Sequence, residues 1–445
     1  MEAPLGFHNG EVQAFVGRLT PHTIPRTGYN AHEGTAVIKH NSFLFERVLT
    51  MFFVRSFCRV EAISFCILFF ACFAANAIAN ETDPKFTLEV IDDDISIGYG
   101  LAIGEVNGDS KIDILLADKS EIVWYQNPGR RGETWVRHVM ARNLTERDNV
   151  CIAARDLNGD GKVEVAVGAN WNPGNTSDTA VSGALFYLER PADPTKQWRS
   201  SVISDHDPTT HRMHWIRDGG RFSLAVLPLH GRDNKNGEGS PVRVTSYTPS
   251  EDYSQWSAKV LDASMHMTHN FELVSGDDKS ESLLVAGREG LKRVTTDNAI
   301  MLVPNPPSRG AGEVRAIDLS EGDELIAIEP MHGTDVVYYR NSGGSWKRKL
   351  LDGSLAAGHA IATGDLLHTG KAQVVAGWRN RNSDGKVGIR LYSPSADGNW
   401  TTHTIDDNVT ATEDLKLADL DGDGKSEIIA AGRATKNVVV YWNEN

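Results

Sequence analysis

Acidic and amide side chains alternate along a short glycine-bearing loop at Asp156, Asn158, Asp160 and Glu164. The unit recurs at Asp419, Asp421, Asp423 and Glu427, and in degraded form at Glu105, Asn107, Asp109 and Asp113. Oxygens at loop positions one, three and five, a backbone carbonyl at seven and a carboxylate at nine can wrap one hard cation. Glycine between them allows the sharp turn. The spacing therefore predicts Ca²⁺. The alternative is a metal-free Asp/Asn/Gly turn.

A second group of residues is rich in histidine and arginine. His211-Arg212-Met-His214-Trp215 and His266-Met-Thr-His269-Asn270 precede or open two strands, and His359 opens another. Asp148, Trp171, His230 and Trp378 lie in nearby loop positions. A neutral imidazole can take a proton, a guanidinium can stabilise an oxyanion, and an indole can stack on a sugar ring. The plainer reading is hydrogen-bonded structural histidines and a solvated arginine rim. His211 and His214 are three apart, so on a strand they point to opposite sides, and the same holds for His266 and His269. A zinc site then needs one histidine from each of several loops, which leaves room for a second, catalytic divalent metal.

Short alternating strands must position these residues. From about residue 80 they recur at roughly 45–60-residue spacing, with no convincing amphipathic helix. First strands are expected near Gly100, Val150, His211, Thr268, Gly312, Gly358 and Thr412. Outer strands share a tryptophan start at Trp135, Trp198, Trp256, Trp346 and Trp400. The fourth unit has no clear copy, and 299–303 stands in for it. The last unit stops at its third strand, while 86–92 has the outer-strand pattern at the other end. The pattern predicts an all-β, seven-bladed β-propeller closed by an N-terminal strand, which removes free sheet edges. An array of separate β-modules is the alternative. In a propeller the acidic loops, between first and second strands, share one face. The histidines fall on the other.

The acidic loops resemble the FG-GAP/VCBS repeats of secreted and cell-surface propellers. The resemblance runs from about Phe86 onward and implies a propeller with calcium; Asp365 and Asp318 mark degraded copies. The segment 211–215, with Leu227-Pro-Leu-His230-Gly231, is similar to the propeller part of aldos-2-ulose dehydratase-type enzymes, over blades two to four. Those enzymes also carry cupin domains, and this sequence ends with its propeller. That resemblance implies β-elimination of water from a keto-sugar. His211 or His269 would be the base, Arg212 the enolate stabiliser, and His214 or His230 the acid. Asp148, Trp171, Trp378 and His359 would hold the sugar. A non-catalytic glycan- or protein-binding propeller is the competing function.

The formal net charge of −14 argues against a nucleic-acid partner and suits bound cations. Residues 51–79 read as a signal peptide: Arg55 and Arg59, an apolar run over 62–75, and Ala77-Ile-Ala79 as the cleavage site. Residues 1–50 then form an over-extended start or a disordered leader, and 80–445 the propeller. A secreted or periplasmic protein with no membrane span in its mature chain is expected. Three of the four cysteines lie in the signal, which leaves Cys151 and no internal disulfide.

Overall fold

The computed structural model describes residues 83–275, 280–317, 323–395 and 397–445. The segments expected as leader and signal, 1–50 and 51–79, and the loop at Asp318 lie outside these residues. The described chain forms seven four-stranded antiparallel sheets, and six of them are simple meanders. Blade one comprises Gly100–Gly104, Asp113–Ala117, Glu121–Gln126 and Val136–Arg142; blade two comprises Cys151–Arg155, Glu164–Ala169, Ala184–Glu189 and Arg199–Ile203. Blade three is Thr210–Asp218, Arg221–Pro228, Val242–Pro249 and Trp256–Met265; blade four is Thr268–Ser275, Glu281–Gly287, Gly290–Val294 and Ala299–Pro304. Blade five is Glu313–Ala316, Glu324–Glu329, Asp335–Ser342 and Ser345–Asp352; blade six is Gly358–Gly364, Gln373–Trp378, Gly388–Pro394 and Trp400–Asp407. Blade seven joins Thr412–Ala418, Glu427–Gly432 and Asn437–Asn443 to the N-terminal strand Phe86–Asp92.

Strand composition follows depth. Second strands are covered on both faces, so they read as continuous apolar runs, such as Ile114-Leu-Leu116 and Ile428-Ile-Ala-Ala431, all fully buried. The outer strand Ser345–Asp352 instead tends to alternate exposed and half-covered residues. The apolar layers lie between blades. One cluster joins Ile114, Leu116 and Tyr125 of blade one to Ile429, Val438 and Trp442 of blade seven. Equivalent clusters join every other neighbouring pair, so the core is itself a ring. Each large side chain buried there contributes about 1.5–3 kcal/mol. Cys151 is the one cysteine among the described residues; it is buried, and burial pushes its thiol up to about 12.

Candidate functional site

The first strands of blades three, four, six and seven share a local irregularity. Each slips register against its second strand at its start: between Thr210 and Arg212, Thr268 and Phe271, Gly358 and Ala360, and Thr412 and Asp414. Such a bulge unpairs a residue and re-aims its side chain. The residues within these slips are His211, His269 with Asn270, His359 and Glu413.

Their imidazoles meet. Ring centroids lie 4.7 Å apart for His211 and His269, and 4.8 Å for His269 and His359. Nδ1 of His211 donates to the carbonyl of His269 at 2.6 Å, and Nδ1 of His269 to the carbonyl of Gly312 at 3.0 Å. Nδ1 of His359 donates to the carbonyl of Glu413 at 2.7 Å. A carbonyl only accepts, so each of these rings carries its proton on Nδ1 and a lone pair on Nε2. Arg212 Nη1 donates to Nε2 of His211 at 3.2 Å.

His332, which sequence reasoning did not single out, completes the group. It stands between the second and third strands of blade five, partly exposed. Its Nε2 lies 2.7 Å from Nε2 of His269, and its ring stacks on His359 at 5.0 Å. Blade five has Gly312 where its neighbours carry His269 and His359. A Cβ on Gly312 would lie 3.2 Å from the His332 nitrogen and 3.3 Å from the Met331 Cα. The missing side chain is what seats the His332 loop. Its sequence signal was a glycine at a ring position that three blades fill with histidine, near a loop histidine.

Burial, reinforced by the Arg212 charge, holds His211 and His269 well below the usual histidine range. Burial and Arg379 do the same to His359, and burial with His269 and Arg379 lowers His332. All four are neutral at pH 7. Glu413 is buried and takes Arg379 at 2.9 Å and Arg433 at 2.9 Å, which compensates those cations. Glu313 is fully buried beside His269, with Oε1 3.3 Å from Nδ1. Burial, opposed by Arg315 and Arg212, raises Glu313 to about 7.

Along the first strands lies a cavity of about 150 Å³. Leu101, Ile152, Arg212, Glu272, Arg315 and Lys416 are among the residues that line it. His214 belongs to this cavity. Its Nε2 donates to the Phe271 carbonyl at 3.1 Å, and it makes no ring contact with the imidazole group.

Of the other expected site residues, Trp171 joins the imidazole group and the rest do not. Trp171 stacks on His211 at 5.0 Å. Asp148 accepts the Tyr99 hydroxyl at 3.0 Å. His230 lines an outer pocket with Thr176, Asp178 and Asn234. Trp378 offers no stacking face: it is 2 % exposed, and its indole donates to the Lys386 carbonyl.

The acidic loops occupy the opposite ends of the first strands. Asp156 accepts Gly159 and Gly161 N–H groups, and Asp419 accepts those of Gly422 and Gly424. Glu105 similarly caps Gly108, and Asn107 accepts from Asp109 N–H. Carboxylate oxygens of Asp419, Asp421 and Glu427 lie within 4.8 Å of one another, while Asp423 accepts Lys425 N–H. Burial, then Asp421 and Asp419, pushes Glu427 up to about 7; burial does the same to Asp113. In the second loop, Arg190 reaches Asp160 at 3.1 Å and Glu164 at 3.5 Å. Asn158 donates to Glu164 there.

Residues 106–167 match the family model of the FG-GAP-like repeat, which takes in the second acidic loop and the first from Asn107 onward. The chain thus carries an FG-GAP-like repeat within a seven-bladed β-propeller. No curated protein matches it by sequence. A chain from the crystal structure of BBS1N in complex with ARL6DN, soaked with mercury, is 11 % identical with a TM-score of 0.53, over 82 % of this chain and 97 % of that one. The lead-soaked crystal of that complex gives 10 % identity, a TM-score of 0.53 and the same shares. A chain from the crystal structure of the Mitotic Checkpoint Complex is 11 % identical with a TM-score of 0.53, over 90 % of this chain and all (100 %) of that one. Identities this low show the fold alone.

Proposed function

We propose that this is a secreted, calcium-stabilised propeller whose histidine mouth performs β-elimination on a sugar, as a carbon–oxygen lyase. The observation that carries this reading is the meeting of imidazoles from adjacent blades beside Arg212. With Nδ1 of His211 committed to the His269 carbonyl, Nε2 carries the lone pair, and it takes a proton next to a sugar carbonyl once Arg212 turns from it to the substrate oxygen. The Arg212 guanidinium, in contact with that nitrogen, stabilises the enolate oxygen. The C–H and C–O bonds break, a C=C bond forms and water leaves. His214 and His230 stand apart from the mouth and the imidazoles there are neutral, so the leaving hydroxyl takes its proton from solvent at the exposed His332 side. The signal-like segment 51–79 supports export, and the carboxylates of the last loop support calcium.

A non-catalytic glycan- or protein-binding propeller is the second reading. It is favoured by the burial of His211, His269 and His359 at 5 %, 1 % and 2 % exposure. Against a glycan platform, none of the large apolar side chains exposed among the described residues is aromatic. A panel of keto-sugars and uronate polymers, read for the ultraviolet absorbance of an unsaturated product, separates the two. His211→Ala is expected to slow turnover about 10²–10⁴-fold. Undiminished turnover with both His211 and His269 replaced by alanine sinks the lyase. Saturable sugar binding without turnover selects the second reading.

A further inference from the structure

We propose that His269, His332 and His359 form a transition-metal site for which Zn²⁺ is the fitting ion. Blades four, five and six contribute one imidazole each, and one ring nitrogen from each lies within 4.8 Å of the others. Two of the rings are already oriented as ligands. Nδ1 of His269 and of His359 are held by the carbonyls of Gly312 and Glu413, which fixes Nε2 as the free donor atom. A hydrogen bond to the non-ligating nitrogen is how proteins aim metal-binding histidines. Glu313 Oε1, 3.3 Å from Nδ1 of His269, adds a carboxylate behind the same ring.

The proton arrangement leads to the same place. Nε2 of His269 has no hydrogen, so in the metal-free molecule His332 must donate across the 2.7 Å gap. That hydrogen bond accounts for two of the rings. Nε2 of His359 accepts no hydrogen bond among the described residues; beside it stands Glu413 Oε1 at 3.8 Å, itself an acceptor. A cation in place of the shared proton serves all three lone pairs, once His332 carries its hydrogen on Nδ1. The His269 and His332 nitrogens then part to about 3.3 Å, the spacing of two tetrahedral ligands on zinc. His332 also sits at φ 51°, the left-handed region. Such strain in a non-glycine residue gathers at functional sites. Three neutral nitrogens select zinc-like ions over Ca²⁺, so this site is chemically distinct from the acidic loops. Three protein ligands leave a tetrahedral ion one position for water or a ligand oxygen.

The site rests on the geometry of the mouth and does not depend on the reaction assigned to it. The purified full chain, kept in excess Ca²⁺ to saturate the acidic loops, is titrated with Co²⁺ and followed by visible absorbance. About one equivalent with tetrahedral bands, displaced by Zn²⁺, is expected. His332→Ala, on a partly exposed loop, is expected to weaken uptake at least ~10–100-fold, while His214→Ala leaves it unchanged. Circular dichroism checks that the variants fold, and the loop variant decides if His359→Ala does not. Absence of stoichiometric uptake by the folded wild type overturns the site, as do unchanged bands in His332→Ala. Uptake without turnover on any sugar sinks the lyase and leaves the metal site standing. Turnover without uptake does the reverse.

Discussion

Glu272 lines the central cavity, with Arg315 Nε 2.9 Å away and His214 at 3.8 Å. Burial raises its carboxyl, but Arg315, His214 and Lys416 outweigh that and bring it down to about 2. The sign follows. The native carboxyl binds its proton less readily than the unfolded one, so its stabilisation is present above pH 4.5 and is lost as pH falls toward 2. Glu272→Gln keeps the shape and removes the charge. It is expected to cost about 1–3 kcal/mol at pH 7, with wild type and variant converging between pH 4.5 and 2. Thermal melts across that range check it; parallel curves would place the stabilisation elsewhere. The sequence offered no such role for Glu272, because its partners Arg315 and Lys416 come from blades five and seven. His211, His269 and His359 were legible because each opens a first strand. His332 was not, because it fills a ring position from a loop, where the repeat has no counterpart.

At the scale of the element, the acidic loops are alike in sequence and different in surroundings. The last loop gathers carboxylates of Asp419, Asp421 and Glu427, and its Lys425 stands 3.7 Å from Asp423 alone. The second loop has Arg190 against Asp160 and Glu164, which already offsets part of its negative charge. Spacing could not separate them, since Arg190 arrives from beyond the third strand of blade two. Added Ca²⁺ is expected to raise the melting temperature, by about 2.7 kcal/mol of stability at a hundredfold excess over Kd. Asp421→Ala should remove most of that gain, and Asp160→Ala less. Calorimetry with and without a chelator tests the order; no response to calcium leaves metal-free turns as the reading of these loops. The β-strands themselves were legible in the sequence because turn residues punctuate apolar runs at a regular spacing. The third strand of blade four, Gly290–Val294, is not legible in this way: its Lys292 and Arg293 break the apolar run, and Lys292 is buried by pairing with Asp262 at 2.8 Å.

At the scale of the whole molecule, a ring of blades holds only if its ends meet. The N-terminal strand pairs antiparallel with the last, Phe86 opposite Asn443 and Val90 opposite Val439. It carries little core itself, since Leu88 and Val90 are 39 % and 49 % exposed. What it supplies is a partner for the backbone of 437–443 and for the Trp442 indole, which donates to Glu89 at 2.6 Å. Trp442 in turn belongs to the apolar cluster between blades seven and one, so closure and core are the same contact seen from two sides. A chain lacking 86–92 would present 437–443 as a free edge, ready to pair with another chain. It is expected to melt at lower temperature and to self-associate with rising concentration, as sedimentation would show. A synthetic peptide of 86–92 added in trans should restore the monomer. A truncated chain that stays monomeric with an unchanged melting temperature would mean that the ring is held by its inter-blade cores alone, and that the borrowed strand only covers an edge already protected.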